Sequence, residues 1–320
     1  MVLSVSRRSD IPNYYSDWFY NRIKEGFVYV RNPRNVHQVS KIKLSPETTD
    51  CIVFWTKNPE PMMDRLEELS AYPYYFQFTL TGYGKDIEPN IPHKKEKMIP
   101  IFQKLSDKIG KNNIIWRYDP ILFTSTYTPE YHIKAFEQIA YALEGYTDTC
   151  VISFVDVYRK NKKNLMEVGI CEEVQSMIIE VSQKMSKTAK AHGMKIGSCA
   201  EQMDLSQYGI EHNCCIDKKR IESMLGLSLI AGKDKNQRLE CGCMESIEIG
   251  AYDTCRNGCK YCYANENQVS VQRNCSKYDV NSPLLCSSLT KEDTVKERNV
   301  SSLKKNQLEL DFYRRKYKNS

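Results

Sequence analysis

The chain has 320 residues, 41% of them hydrophobic, and a formal net charge of +6 at pH 7. This length suits one large barrel or sheet domain or two ordinary domains. Because no stretch is long and apolar enough for a signal-peptide core or a membrane span, we expect a cytoplasmic protein without membrane contact. The mild positive charge permits an anionic partner such as nucleic acid or a phosphorylated metabolite, although ordinary surface charge explains it equally well.

Short apolar segments rich in β-branched and aromatic residues alternate with segments of helical spacing. The predicted strands are VLSVSRRSD, FVYVRNP, CIVFWTKNP, YYFQFTLTGYG, NIIWRYDP, CVISFVDVY and MKIGSCAE. The predicted helices are NYYSDWFYNRIKEG, PMMDRLEELS, EKMIPIFQKLSDKIG, PEYHIKAFEQIAYALEG and EEVQSMIIEVSQKMSKTAKAHG. The alternation predicts an α/β protein with a parallel sheet, a full or partial (β/α) barrel. An open, doubly wound sheet is the alternative.

Polar residues follow most of the predicted strands. They are Arg7, Arg8, Asp10, Arg31, Asn32, Trp55 to Asn58, Thr79, Thr81, Arg117, Asp119, Ser153, Asp156, Cys199 and Glu201. Active sites of barrels lie at the C-terminal ends of the strands, so these residues predict polar groups around one ligand-filled cavity. Loop polarity and helix capping also account for part of the pattern.

Thirteen cysteines are unevenly distributed, and ten of them lie from Cys199 onward. Without a secretion signal, clustered cysteines indicate metal binding rather than disulfides. Cys255, Cys259 and Cys262 form CRNGCKYC, in which three and then two residues separate the thiols. Three thiolates can hold three irons of a [4Fe–4S] cluster and leave the fourth open to another ligand. Zinc, with Cys241 or Cys243 as the fourth ligand, and a purely structural cluster are alternatives.

The three cysteines, with Tyr261 before the last, resemble the CxxxCxφC signature of radical S-adenosylmethionine (SAM) enzymes. The resemblance implies a [4Fe–4S] cluster whose open iron binds SAM through its amino and carboxylate groups. It also implies reductive cleavage of SAM to a 5′-deoxyadenosyl radical that abstracts a substrate hydrogen. Tyr261 is then expected near the adenine, and an electron donor such as flavodoxin or ferredoxin is the implied partner. Lys57, Arg117 and Asp119, at predicted strand ends, are candidates for binding SAM or substrate.

The motif comes late in the chain, whereas radical SAM proteins usually carry it just after the first barrel strand. It follows SIEIGAYDT, residues 246–254, which itself predicts a strand. We therefore expect a circularly permuted barrel in which the usual first strand is placed last, an arrangement that is feasible where chain termini lie close together.

The chain as a whole resembles DUF1848, a family of bacterial proteins of unknown function. The resemblance extends from about Val2 to Asn265, through SRRSDIP, VRNP, VFWTKNP, FQFTLTGYG, WRYDP, SFVD and CGC. The predicted domains are therefore a radical SAM-like barrel at 1–265 and a flexible or loosely docked tail at 266–320. Within the tail, QLELDFY alternates and predicts an edge strand or a partner-binding segment.

Cys199, Cys215, Cys241 and Cys243 predict a second site, either an auxiliary [4Fe–4S] cluster or a zinc ion. Cys214 could replace Cys215, and His212 could contribute a nitrogen. In the alternative interpretation Cys199 and Cys214 are buried thiols, and only the CGC pair binds a metal.

The leading hypothesis is a radical SAM enzyme of unknown substrate, with nucleic acid as one candidate. The alternatives are an iron–sulfur protein that binds nucleic acid or acts in its repair with a structural cluster, and a zinc protein without redox chemistry. The sequence assigns no catalytic residue beyond the ligands named above.

Overall fold

The computed structural model describes residues 1–172 and 174–305. Its strands are β1 (Val2–Val5), β2 (Phe27–Arg31), β3 (Gln38–Lys43), β4 (Cys51–Thr56), β5 (Tyr74–Thr79), β6 (Ile114–Ile121), β7 (Thr149–Phe154), β8 (Lys195–Ser198), β9 (Glu211–His212), β10 (Ile247–Glu248) and β11 (Thr294–Arg298). Its helices are α1 (Ile11–Tyr14), α2 (Ser16–Glu25), α3 (Ile99–Ile109), α4 (Pro129–Ala142), α5 (Lys162–Glu167), α6 (Gln175–Ala191), α7 (Lys218–Leu225) and α8 (Gln268–Cys275). A 3₁₀ segment, Glu60–Leu69, and a π-helical segment, Lys94–Met98, complete the elements that cover the sheet.

Eight strands form one parallel sheet in the order β10-β1-β4-β5-β6-β7-β8-β9. The α/β fold with a parallel sheet and crossover helices is therefore confirmed. The order does not reverse between β4 and β9, whereas a doubly wound sheet reverses at its switch point. The ends of the order are β10 and β9, and no pairing joins them within the described residues.

Each predicted strand segment contains a strand, but FVYVRNP lies outside the main sheet. Its strand, β2, pairs antiparallel with β3, and β11 pairs with the other side of β3. Gly26 ends α2 in the left-handed conformation, at φ 76°, and turns the chain directly into β2. This local hairpin takes β2 away from the crossover pattern. The polar segment QVSKIK forms β3, although the sequence pattern did not predict a strand there.

The main sheet packs differently on its two faces because neighbouring side chains point to opposite sides. On one face, Trp116 stacks on Phe136 of α4 with ring centroids 4.6 Å apart, in a core that α3 and α6 also join. On the other face, Val53 and Val151 are buried together with the segment around Ile216. Further along the strands, polar or amphipathic residues replace the apolar ones on this face. They are Ser4 in β1, Trp55 in β4, Gln77 in β5, Arg117 in β6 and Ser153 in β7. On this face polar groups therefore replace apolar ones towards the C-terminal ends of the strands, and the single ligand-filled cavity stays a prediction.

Part of the segment predicted as a tail has defined structure. β11 pairs in parallel with β3 from Thr294 to Arg298, and Leu284, Leu285 and Cys286 are buried. QLELDFY, at 307–313, lies outside the described residues. The division at residue 265 stays a prediction. No helix in the described part of the chain is both long and apolar enough to cross a membrane.

Candidate metal and cofactor site

The cysteine motif lies in a loop that follows β10, and β10 pairs in parallel with β1. Side chains from three other parts of the chain hold the loop. Asn257 Nδ2 donates to Asp10 Oδ2 (2.9 Å), Asn90 Nδ2 donates to the Arg256 carbonyl (2.7 Å), and Asn161 Nδ2 donates to the Tyr261 carbonyl (3.0 Å). Gly258 has φ 71°, which a residue with a Cβ adopts only with strain. The loop is therefore anchored on the regions after β1, β5 and β7.

Asp10 connects the motif loop to the ends of β1 and β4. Its carboxylate accepts from Thr56 Oγ1 (2.6 Å), from the Lys57 backbone N–H (2.9 Å) and from Asn257. Burial raises the pKa of Asp10, and these hydrogen bonds oppose that effect. Because it also accepts from the Asn13 N–H (3.3 Å) and so caps α1, Asp10 fixes the position of the loop relative to both strands.

The motif thiols lie in a buried environment with a cation beside them. Burial raises the pKa of Cys259 to about 12, although the Lys57 ammonium opposes this, and burial also raises the pKa values of Cys255 and Cys262. The thiols would therefore be protonated at neutral pH in the absence of a metal. Metal binding must displace those protons, which makes the affinity depend on pH.

A buried ion cluster lies next to the motif and centres on Glu88. The carboxylate accepts from Lys57 Nζ (2.7 Å), Thr81 Oγ1 (2.9 Å), Lys94 and the hydroxyl of Tyr261. Burial alone would raise the pKa of Glu88, but Lys57 and Lys94 outweigh it and lower the pKa to about 2. Two ammonium groups and one carboxylate leave a net positive charge beside Cys259.

Tyr261 belongs to this ion cluster through its hydroxyl and to an aromatic cluster through its ring. Lys57 Nζ lies 5.4 Å from the ring centroid, and the Tyr83 ring lies 5.9 Å away on centroids. The side chain is 9% exposed, so the ring is fixed on more than one side.

A second group of thiols lies on the sheet face that carries Val53 and Val151, here called the inner face. Its members are Cys199, Cys215, Cys241 and Cys243. Cys199 follows β8, Cys215 follows β9, and Cys241 and Cys243 precede β10. The Sγ atoms of Cys199 and Cys215 are 3.3 Å apart, and Arg117 Nη1 donates to Cys215 Sγ (2.8 Å). Cys214, adjacent in sequence, is half-buried, and its Sγ lies against Gly242, between Cys241 and Cys243.

Arg117 and Asp119, both predicted to bind cofactor or substrate, lie beside the second thiol group rather than the motif. They form a buried ion pair, Ser153 donates to Asp119, and Arg117 Nη1 donates to Gln77 Oε1 (3.2 Å). Burial would raise the pKa of Asp119, but the Arg117 guanidinium and the hydrogen bond from Ser153 outweigh it and lower the pKa. The guanidiniums of Arg117 and Arg7 lie 5.2 and 5.1 Å from the Trp55 ring centroid.

Comparison with known proteins bears on the family. A family model described as "Domain of unknown function (DUF1848)" matches residues 2–264. The chain belongs to the DUF1848 family. A search of curated proteins finds no match. Among solved structures, a provisionally named alpha-L-fucosidase from Bacteroides thetaiotaomicron is similar over 55% of this chain and 72% of its own, at 14% identity and a TM-score of 0.23. That likeness is too low to carry an argument.

The predicted site residues of this DUF1848 chain thus separate into two groups. Lys57 and Tyr261 lie with the motif cysteines, whereas Arg117 and Asp119 lie with the other four. In the described residues, no three His, Cys, Asp or Glu side chains are already gathered around one point as a metal site. The thiol donors, the turn at Gly258 and the neighbouring cations are nonetheless chemically suited to a thiolate-ligated centre, which would form by rotation of the cysteine side chains.

Sequence reasoning missed Glu88, Lys94 and Asn257. Glu88 lies in GYGKDIEPN, a loop with neither periodicity nor a strand end immediately before it. Asn257 lies inside the motif, where only the cysteines and Tyr261 match a known pattern, and it positions the loop through Asp10. A carboxylate six residues before a lysine gave no signal by itself, because the two side chains meet only across the folded loop.

Proposed function

We propose that this DUF1848 chain is a radical SAM-type enzyme in which Cys255, Cys259 and Cys262 hold a [4Fe–4S] cluster. The observation that carries the proposal is the position of the motif. Its loop follows a parallel strand directly and lies at the C-terminal edge of the sheet, where α/β barrels place their active sites. Three thiolates leave one coordination position for the cofactor's own groups. When bound and reduced, such a cluster supplies the electron that cleaves SAM to methionine and a 5′-deoxyadenosyl radical.

The strand order supports a permuted barrel. β4 to β9 follow one another without reversal, and β10, the last strand of the sheet along the chain, lies beside β1, the first. Moving β10 in front of β1 would restore one continuous order. A cysteine loop after the first strand of that order is the arrangement expected of the resembled superfamily. Full or partial closure of the barrel belongs to this proposal.

Different residues of the chain have different roles in the proposed reaction. Asp10 and Asn257 position the loop, and the net positive charge of Lys57, Lys94 and Glu88 stabilises three thiolates beside it. Tyr261, held through Glu88, forms an aromatic wall next to Cys262 that suits an adenine. Arg117 and Asp119 face the inner side of the sheet, where they would bind the carboxylate or ribose of SAM or a polar substrate.

The test is reconstitution with iron and sulfide in the absence of air, reduction with dithionite and addition of SAM. We expect formation of 5′-deoxyadenosine and its loss in Cys259→Ala. Cys275→Ala is the matched control, because Cys275 is also partly buried near the loop but lies outside the motif. Replacing dithionite with reduced flavodoxin or ferredoxin tests the proposed electron donor. A reduced cluster that neither binds nor cleaves SAM would contradict the proposal.

The alternatives separate by simple measurements. Zinc without iron or acid-labile sulfide at the motif would identify a zinc protein without redox chemistry. Nucleic-acid binding whose affinity falls steeply with salt, together with inert SAM, would identify a nucleic-acid or repair protein with a structural cluster.

A further inference from the structure

Three separate chain segments meet where the second thiol group lies. The Asn213 N–H donates to the Ser198 carbonyl (2.8 Å), which places the segment after β9 beside the end of β8. The Met244 N–H donates to the Ile216 carbonyl (3.1 Å), which adds the segment before β10. Residues distant in sequence therefore present their thiols to one another because the backbone is hydrogen-bonded there, and not because of a local motif.

The position of Cys215 is fixed from the inner face of β5. Tyr75 Oη and Gln77 Nε2 both donate to the Cys215 carbonyl, at 2.7 and 2.8 Å. Both side chains are fully buried, so two strand residues are committed to holding one cysteine backbone. These bonds fix the backbone of Cys215 and with it the origin of its side chain.

The four thiols lie close together. Cys199 Sγ lies 3.3 Å from Cys215 Sγ, and Cys243 is a near neighbour of both Cys215 and Cys241. Cys215, Cys241 and Cys243 are 2%, 8% and 2% exposed. Donors surround the sulfurs, since the Ile216 N–H donates to Cys243 Sγ (3.3 Å) and Asn213 Nδ2 to Cys215 Sγ (3.6 Å). N–H donors directed at sulfur favour thiolates over thiols.

One donor beside the thiols is unsatisfied, although both arginines there have a carboxylate nearby. Arg117 donates to Cys215 and is paired with Asp119. Arg7 lies close to Cys243, Cys215 and Glu248, and its buried Nη2 has no hydrogen-bond partner among the described residues. Glu248 instead accepts from Ser4 Oγ (2.9 Å) and the backbone N–H groups of Arg7 (2.9 Å) and Gly250 (2.8 Å). A buried N–H donor without an acceptor is costly, so the Arg7 Nη2 points to an acceptor that completes the site.

We propose that Cys199, Cys215, Cys241 and Cys243 hold a second metal centre, separate from the motif, as a four-thiolate site with Arg7 and Arg117 as its counter-charges. Four thiolates on one zinc ion, or on one [4Fe–4S] cluster, give a centre with two negative charges, which the guanidiniums of Arg7 and Arg117 offset in part because Glu248 and Asp119 lie beside them. All four positions are filled by protein, so this centre is closed to substrate, unlike the motif. Its ligands join the ends of β8 and β9 to the segment before β10.

The sulfur spacing distinguishes the two metals that suit thiolates. Thiolates at 2.3 Å from a single tetrahedral ion lie about 3.8 Å apart, whereas those of a cluster sit on different irons and lie further apart. The 3.3 Å between Cys199 and Cys215 is nearer the single-ion spacing. The closed four-thiolate site is the shared chemistry, and metal analysis separates zinc from iron and sulfide.

The experiment uses the full chain with Cys255→Ser, Cys259→Ser and Cys262→Ser, purified without air, so that its outcome does not depend on the proposed enzyme activity. We expect retention of about one zinc per chain, or about four irons with matching acid-labile sulfide. Adding Cys215→Ser and Cys243→Ser should remove that metal. Cys214→Ser is the matched control and should retain it, because Cys214 is the sequence neighbour of Cys215 but the contacts of Cys199 Sγ and Arg117 Nη1 are with Cys215. Absence of metal from the motif-free protein, or equal loss in the Cys214 and Cys215 variants, would overturn the proposal.

A second measurement avoids the risk that the Cys215 variants fail to fold. In the motif-free protein with its four remaining ligands intact, alkylation by iodoacetamide is followed by mass spectrometry with and without a chelator. Cys199, Cys215, Cys241 and Cys243 should become reactive only after chelation. Exposed Cys171 should react in both conditions and buried Cys51 in neither. Reactivity of the four thiols that is unchanged by the chelator would also overturn the proposal.

Discussion

The two cysteine groups differ in how the chain assembles them. The motif brings Cys255, Cys259 and Cys262 together within one loop, so local spacing suffices. The second group draws Cys199, Cys215, Cys241 and Cys243 from three segments that only the folded sheet edge joins. Three thiols from one loop leave a metal accessible, whereas four thiols from three segments enclose it. The difference indicates a reactive centre in the first case and a structural or electron-transfer centre in the second.

The charges beside the two groups also differ. At the motif, Lys57 and Lys94 are paired internally through Glu88. At the second group, Arg117 is paired with Asp119, but the buried Nη2 of Arg7 has no partner among the described residues. Both cations at the motif therefore have a hydrogen-bonded carboxylate before a metal arrives, whereas one guanidinium nitrogen at the second group has no acceptor among the described residues. Four predictions test this contrast.

The largest effect is expected from Glu88→Ala. It would leave two buried ammonium groups without their carboxylate and should lower the free energy of unfolding of the metal-free protein by about 3–5 kcal/mol. Urea denaturation measures the change. Glu60→Ala is the control, because Glu60 also pairs with a lysine, Lys97 at 2.7 Å, but both side chains are about half exposed. That exposed pair should contribute less than about 1 kcal/mol. Similar losses in both variants would mean that the Glu88 cluster is not the buried support we infer.

The sequence predicted the motif and most strands because both are local signals. CRNGCKYC is readable from spacing alone, and the first five residues of CIVFWT are all apolar because both faces of β4 are largely buried. It favoured Cys215 for the second site but left Cys214 open as a replacement, and in the structure Cys215 is the cysteine that contacts Cys199. Whether the seven cysteines ligate metal stays a prediction.

The sequence could not predict the ion cluster or the placement of β2. Glu88 meets its hydrogen-bond partner Tyr261 only when the loop after β5 folds, because the two residues are 173 positions apart in sequence. β2 looks like any other strand, and only its hairpin with β3 excludes it from the main sheet. Arg117 and Asp119 were predicted at a strand end, but β6 continues to Ile121 and both lie within it. Their position along the chain also does not specify which group of thiols they face.

The second prediction concerns pH and belongs to the motif side. His132 is buried behind Tyr83 and Tyr118, where its ring nitrogens contact Tyr118 Oη and the Leu122 carbonyl, both at 2.9 Å. Burial lowers the pKa of His132 from 6.5 to about 4. Between these values the unfolded chain binds a proton that the folded chain does not, so stability is complete above pH 6.5 and falls as the pH drops towards 4.

The expected loss from His132 over this range is about 3 kcal/mol. It is measured as the difference in pH dependence between the wild type and His132→Gln, each unfolded in urea at several pH values. The comparison uses slopes, so a constant cost of the substitution cancels. Parallel slopes in the two proteins would show that His132 is not the titrating group.

The third prediction has opposite signs with and without metal. Arg7→Met removes a guanidinium whose buried Nη2 has no hydrogen-bond partner in the described part of the chain but keeps an apolar stem against Trp55, so the metal-free protein should gain about 1 kcal/mol of stability or lose none. The metal-loaded variant should gain less from its metal than the wild type does, because a counter-charge is missing. Thermal unfolding before and after chelation measures both. Arg8→Met is the control, since the Arg8 guanidinium lies over Tyr252 (4.8 Å) rather than beside the thiols. A metal-free Arg7→Met protein that is clearly less stable than the wild type would contradict the contrast.

The smallest effects are expected at two glycines, one in each cysteine group. Gly258 has φ 71°, and a Cβ there would lie 3.1 Å from Pro89, so Gly258→Ala should cost about 1 kcal/mol or more through backbone strain. Gly242 lies between Cys241 and Cys243, and a Cβ there would meet Cys214 Sγ at 2.6 Å. That obstacle is the end of a movable side chain, so Gly242→Ala should cost less than Gly258→Ala.

Cys214→Ala separates strain from steric contact. It should relieve the cost of Gly242→Ala, because the sulfur that the new methyl group meets is gone, and it should leave the cost of Gly258→Ala unchanged. A double-mutant cycle in urea measures the coupling for each glycine. If Gly242→Ala remains as costly in the Cys214→Ala background, then the segment at Gly242 is constrained by its backbone, as the motif loop is. The enclosed thiol group would in that case owe its shape to local turn geometry as well as to the three-segment assembly.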